Sequence, residues 1–377
     1  MYPSETGKHG ENLTDAVAEW PRPSTLTTFA MHSVDFNGFF HFVWPQLNSS
    51  NVPFSVVTNM QDNAAPYEMF ACRLFGVHAR PGSAPYLAGI HRSRLEMRAF
   101  LRSHLLRQWY TQNYDLLRSA GRRTNFITGD LRESACTQQI AMHPDLDSDV
   151  DPLTEGDIIA KVSPLPIGMG YSYISCDDLP KMDPIVSASA LRPLLGRDLR
   201  ILVTFGSSLM RDRRKTAMRE LGSSHKLILP RVTMAQLFHR MGYHAFVATP
   251  ASRGQDTYRF WETISVGAVP IVSAGPLDAF YSQLPCVIVA HWANITEAKL
   301  VEWRDAIVRR FGPRPREDAT VSRLLSSSYY ASRIVRGHPI SRAPLPGARR
   351  AVVNHTCQMD RGGVLVQDRR LAIGCDS

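Results

Sequence analysis

AFVATPASRGQDTYRFWETISVGAVPIV, residues 245 to 272, decides the fold class of this 377-residue chain. AFVATP (Ala245 to Pro250) is a short apolar run that reads as a buried strand. A loop, Ala251 to Gln255, follows and carries Arg253 and Gly254. The spacing predicts a helix over Asp256 to Val266, ended by Gly267, and VPIV (Val269 to Val272) returns as a strand. Strand, helix and strand in that order, with near-continuous apolar strands, imply a parallel pair covered on both faces. Asp256 is placed to cap the helix, with Thr257 in support. Arg259 and Glu262 then lie on the cap side of the helix, while Phe260, Ile264 and Val266 form its core face. Free N–H groups at a helix start suit phosphate. Arg259 could fork onto a diphosphate and Glu262 could accept from ribose hydroxyls. A plainer reading of the same spacing is a cap at Asp256 and an i, i+3 surface ion pair of Arg259 with Glu262.

The pattern extends on both sides. RILVTFG (Arg200 to Gly206), KLIL (Lys226 to Leu229) and CVIVA (Cys286 to Ala290) read as strands. Asp212 to Leu221, Met234 to Met241, Asp278 to Gln283, Glu297 to Phe311 and Val321 to Val335 read as helices. Residues 196–345 therefore form a doubly wound, Rossmann-like domain. Before it, residues 176–198 contain Pro180, Pro184 and Pro193, and are read as the linker. Residues 25–190 form the other domain. There, TTFAM, FSVVT (Phe54 to Thr58), NFIT (Asn125 to Thr128) and KVSPLPIGM (Lys161 to Met169) are strand candidates, and Arg92 to Leu117 carries a helical period with a break near Thr111. Residues 1–24 are a polar tail and 346–377 a basic, Gly-rich one.

Hydrophobic residues make up 44% and charged residues 20%, the balance of a globular chain able to bury a sizeable core. Lysine and arginine number 43 against 34 acidic residues, a net +9, but the charge is scattered and densest at Arg211 to Lys215. That suits a solvated basic surface or attraction to anions such as a nucleotide diphosphate. Without zinc-finger spacing or an aromatic RNA-binding signature, nucleic acid is not an expected partner. No apolar run reaches the ~18 residues of a membrane span. Six cysteines include no C-x-x-C pair, and Cys357 with Cys375 are either a disulfide pair or two free thiols. Sequons stand at Asn12, Asn48, Asn294 and Asn354. Asp145-Leu-Asp147 and Asp149-Val-Asp151 have a metal-binding spelling but sit in an acidic, turn-rich loop, so no metal is expected.

The stretch that opens this section resembles the C-terminal signature of exostosin-like glycosyltransferases. The matching positions are Pro250, Gly254, Asp256, Arg259, Trp261, Glu262, Gly267, Pro270 and Val272, followed by Tyr281, Leu284-Pro285 and His291-Trp292. SVVTNMQD (Ser55 to Asp62), WYTQNYD (Trp109 to Asp115) and LPIGM (Leu165 to Met169) are similar to segments of the family's N-terminal half. The resemblance implies a GT-B fold, two Rossmann-like domains, and an inverting, metal-independent transfer from a nucleotide sugar, UDP-linked, to a glycan or glycoprotein hydroxyl. It implies a donor site at Arg253, Gly254, Asp256, Thr257, Arg259 and Glu262. Asp62, just after a strand, is the candidate general base, and Arg259 offsets the leaving diphosphate. Family members work in the Golgi and secretory lumen. The usual anchor helix is not seen in this sequence, so a cytoplasmic enzyme is the other expectation. Two rivals remain: a fucosyltransferase-like GT-B enzyme using a GDP-sugar, and a non-catalytic relative that binds glycan or a partner protein.

Overall fold

The computed structural model describes residues 27–32, 36–59, 95–96, 99–112, 161–169, 179–205, 212–230, 232–251, 254–275 and 277–340. The chain forms two compact units. One comprises residues 1–165 with 332–340, and the other residues 166–331 with 341–377. The boundary thus falls between Leu165 and Pro166, ahead of the proline-bearing stretch read as the linker. That stretch holds a twelve-residue helix, Leu179–Ala190, with Pro184 inside it. Pro184 is exposed, where a missing N–H and a bulky ring disturb least.

The first unit is built on four parallel strands in the order β1-β2-β3-β4: Thr27–His32, Phe54–Asn59, Leu106–Thr111 and Val162–Pro164. Between β1 and β2 a helical run passes through Phe36–Gly38, a π turn Phe39–Val43 and Trp44–Ser49. An aromatic core fills the space above the sheet. Phe36 stacks on Trp109 with ring centroids 4.8 Å apart, and Phe100 stands edge-on to both. Trp109 is fully buried, and its indole N–H donates to Thr58 Oγ1 at 3.0 Å. Tyr110 is also buried, and carbonyls of Arg333 and His338 both lie 2.8 Å from its hydroxyl. The chain therefore returns to this unit near its end.

β3 corrects the sequence reading, in which Arg92 to Leu117 was helical. Residues 99–102 are helical, but 106–111 pair with β2 and β4. Five of the six β3 residues are buried, including polar Gln108 and Thr111, which answer each other's neighbours: Gln108 Nε2 donates to Ser163 Oγ at 2.7 Å, and Thr58 Oγ1 to Thr111 Oγ1 at 3.1 Å. Pairing across some fifty residues overrides the local period. The expected strand NFIT lies outside the described residues.

The second unit holds five parallel strands in the order β6-β5-β7-β8-β9: Lys226–Ile228, Ile201–Val203, Phe246–Ala248, Val269–Ser273 and Val287–Val289. Helices Asp212–Glu220, Met234–Met241, Tyr258–Ser265 and Asp278–Tyr281 connect them in turn. β5, β7 and most of β8 are buried on both faces, as a covered parallel sheet requires. Glu297–Phe311 follows as read from sequence. The expected helix Val321 to Val335 is instead two, Ala319–Leu324 and Ser327–Val335, the first capped by Asp318. Both units are thus α/β with parallel sheets.

One buried cation organises the floor of the second unit. Arg197 is 5% exposed and its Nη2 donates to the carbonyls of Ser189, Arg192 and Val266 at 2.8, 2.9 and 3.1 Å. These carbonyls mark the carboxyl ends of two helices, where a positive charge is favoured. Burial lowers its pKa to about 10, which leaves it charged at neutral pH. Gly267 makes room for it. Its φ is +73°, and a Cβ there would lie 2.9 Å from Arg197 Nη2. Gly267→Ala is therefore expected to lose roughly 1–3 kcal/mol through strain and crowding. Urea unfolding checks this, and a loss under 0.5 kcal/mol would show that the clamp yields freely.

Candidate functional site

From β5 the second sheet grows outward to β6, then resumes on the other side of β5 with β7. The order reverses between β5 and β7, so the connections that follow the two strands run to opposite sides, which is the usual ligand position in open parallel sheets. Thr204 and Phe205 leave β5 there, and the loop after Thr249 leaves β7 there. The decisive stretch of sequence thus begins at the one reversal point of this sheet.

Several polar groups meet at this edge. Thr204 Oγ1 is buried without a hydrogen-bond partner among the described residues. Arg213, in the first turn of the helix after β5, reaches across, and its Nη1 donates to Gln255 Oε1 at 3.0 Å. Arg214 lies over the Phe205 ring at 5.8 Å. From β8, Gly275 approaches Gln255 closely: a Cβ there would be 3.6 Å from Gln255 Oε1. Asp278 closes the β8 turn by accepting the Gly275 N–H at 2.7 Å, and its half-burial pushes the carboxyl up to about 6. Arg213 belongs to the densest basic run of the sequence, which reads as a solvated face. Only the crossing from β5 to β7 makes it a site residue.

The residues picked from sequence fall into three groups. Gly254 and Thr257 stand in the loop and at the helix start. The helix is Tyr258–Ser265, and its cap is Thr257, whose Oγ1 accepts from the Phe260 N–H at 3.4 Å. Asp256 is not the cap. It is 5% exposed and its carboxylate accepts from Ile167 N–H at 2.8 Å, Thr257 N–H and Trp261 Nε1 at 2.9 Å, and Tyr281 Oη at 2.7 Å. Burial pushes its pKa up to about 6 against the pull of these four donors. It is thus mostly ionised at neutral pH, and it ties loop, helix and the Tyr281 turn together from inside rather than facing a ligand.

Arg259 and Glu262 form the second group. Nη1 of Arg259 lies 3.0 Å from Glu262 Oε2 and 3.8 Å from Met241 Sδ, in the seam toward the Met234–Met241 helix. Their side chains are 24% and 4% exposed. The plainer reading of their spacing was nearer, but the pair is partly buried, not on the surface. Glu262 Oε2 is buried and makes no hydrogen bond among the described residues, so Arg259 meets it as a close ion pair without hydrogen-bond alignment. Arg253 and Asp62, the third group, lie outside the described residues, as do the two D-x-D sequences.

His244 stands at the amino end of β7, the opposite end from Thr249 and the loop that follows it. Its Nδ1 is 3.0 Å from the Arg200 carbonyl, and burial pushes its pKa below the usual histidine value of 6.5. Because the folded value is depressed, its contribution to stability is full above pH 6.5 and lost as pH falls. His244→Gln is expected to flatten the fall in melting temperature between pH 7 and 5. Identical slopes for variant and wild type would contradict this. An open concavity of about 540 Å³ is lined by Ile185, Ala235, Gln236, His239, Arg240 and Tyr243, along the Met234–Met241 helix.

Among the described residues no three His, Cys, Asp or Glu side chains gather as a metal site, and no helix is long and apolar enough to cross a membrane. No family model matches the chain. No curated protein matches it either. Among solved structures it is similar to a glycosyltransferase from Rickettsia africae ESF-5, with a TM-score of 0.29 and 9% identity over 84% of this chain and 97% of that one.

Proposed function

We propose that the protein is an inverting glycosyltransferase that binds a nucleotide sugar, UDP-linked, at the carboxyl edge of the second sheet. The observation that carries this reading is a coincidence of position. The stretch that resembles the exostosin signature leaves the sheet at its order reversal, where Arg213 meets the Gln255 loop and where Thr204, whose buried hydroxyl has no hydrogen-bond partner among the described residues, follows β5. A guanidinium and loop N–H groups offset the charge of a leaving diphosphate without a metal. On this reading Arg213 takes the diphosphate contact first expected of Arg259. The buried Arg259–Glu262 pair and Asp256 hold the loop in shape beneath it.

The remaining parts of the proposal come from the resemblance: a GT-B architecture, with acceptor contacts in the first unit and Asp62 as the base that takes the proton of the acceptor hydroxyl. The acceptor is a glycan or glycoprotein, and the compartment is the secretory lumen. Incubation with a panel of UDP- and GDP-sugars, followed by detection of released nucleotide, tests this. Release of UDP from one sugar nucleotide supports it, release of GDP alone favours the fucosyltransferase-like rival, and no nucleotide binding by folded protein favours the non-catalytic relative.

A further inference from the structure

The carboxyl end of β8 carries an acceptor that the sequence reading left out. Gly275 and Asp278 hold each other in a tight turn: Asp278 N–H donates to Gly275 O at 3.1 Å and Gly275 N–H to Asp278 Oδ1 at 2.7 Å. The turn abuts Gln255: a Cβ built on Gly275 would stand in ordinary contact with Gln255 Oε1, at 3.6 Å. Gln255 in turn accepts from Arg213. Arg213, Gln255 and the Asp278 turn therefore form a line across the carboxyl ends of β5, β7 and β8. Its chemistry changes along its length. The β5 end offers a cation and a hydroxyl, which suit phosphate. The β8 end offers a carboxylate, which repels phosphate and uronate but accepts from neutral hydroxyls. Oδ1 of Asp278 is used by the turn, and Oδ2 makes no hydrogen bond among the described residues.

We propose that Asp278 is a specificity-determining residue: its Oδ2 accepts a hydrogen bond from the sugar of the bound donor and selects a neutral sugar over a uronic acid. This rests on the nucleotide-sugar reading above. The diphosphate lies toward Arg213 and the sugar toward β8, so Asp278 meets the sugar and not the nucleotide.

The test is calorimetric titration of the full chain with UDP, UDP-glucose and UDP-glucuronate, for wild type and Asp278→Asn. Asparagine keeps an oxygen for the Gly275 N–H, so the turn survives while the charge goes. Wild type is expected to favour UDP-glucose over UDP-glucuronate by ~10-fold or more. Asp278→Asn is expected to keep UDP affinity within ~2-fold, to weaken UDP-glucose by ~3–10-fold, and to narrow the preference between the two sugars. An unchanged preference in the variant, or tighter binding of the uronate donor by wild type, overturns the assignment of Asp278. The wild-type preference stands as a test even if the variant does not fold. Wild type that binds no UDP removes the nucleotide-sugar reading itself, whereas wild type that binds UDP without telling the two sugars apart removes only the role of Asp278.

Discussion

Asp256→Ala is expected to lose roughly 3–5 kcal/mol of stability, because four buried donors lose their acceptor at ~1–3 kcal/mol each, softened by relaxation. The donors belong to separate parts of the second unit: Ile167, the start of the Tyr258–Ser265 helix, Trp261 within it, and Tyr281 after β8. Phe260 stacks on the Tyr281 ring at 4.0 Å, so the polar junction and the core beside it are one packing unit. Tyr281→Phe removes a single donor and should lose only ~1–2 kcal/mol. Urea unfolding of both variants checks the ratio. An alanine variant within 1 kcal/mol of wild type would show that the junction is replaceable, and the loop after β7 would then need another anchor.

Arg213→Gln is expected to weaken UDP binding by ~10–100-fold, the loss of one charge-assisted contact of ~1.5–3 kcal/mol. Its melting temperature should fall less than that of the Asp256 variant, since the hydrogen bond to Gln255 is only half-buried. Arg259→Gln should behave in the opposite way. It strands the enclosed carboxylate of Glu262, at ~1–3 kcal/mol after allowance for the 24% exposure of the arginine. UDP affinity should then change less than in the Arg213 variant. Titration and thermal melting of the two proteins separate the roles. If Arg259→Gln abolishes binding without loss of stability while Arg213→Gln binds normally, the diphosphate contact returns to Arg259.

The strands and helices from Arg200 to Phe311 were legible because the strands there are short apolar runs, with β5, β7 and most of β8 buried on both faces, and Gly267 and Gly242 follow the helices they end. β3 was not legible, because its strand state is set by β2 and β4 and not by its own period. The Leu179–Ala190 helix was hidden by its prolines. In the site, Thr257 and the loop at Gly254 could be read from local spacing. The true place of Asp256 could not, since Ile167 and Tyr281 stand 89 and 25 residues away in sequence. Arg213 was hidden for a related reason: a basic run is ambiguous until the strand order brings it to the loop it touches.

Hydrogen–deuterium exchange of the full chain with and without UDP tests the location of the site most directly. The expected result is added protection confined to peptides covering residues 203–216 and 249–262, around Thr204, Arg213 and Gln255. Protection elsewhere, as around Ile185 and Tyr243, or none at a saturating concentration of UDP, would contradict a nucleotide site at the carboxyl edge of the second sheet.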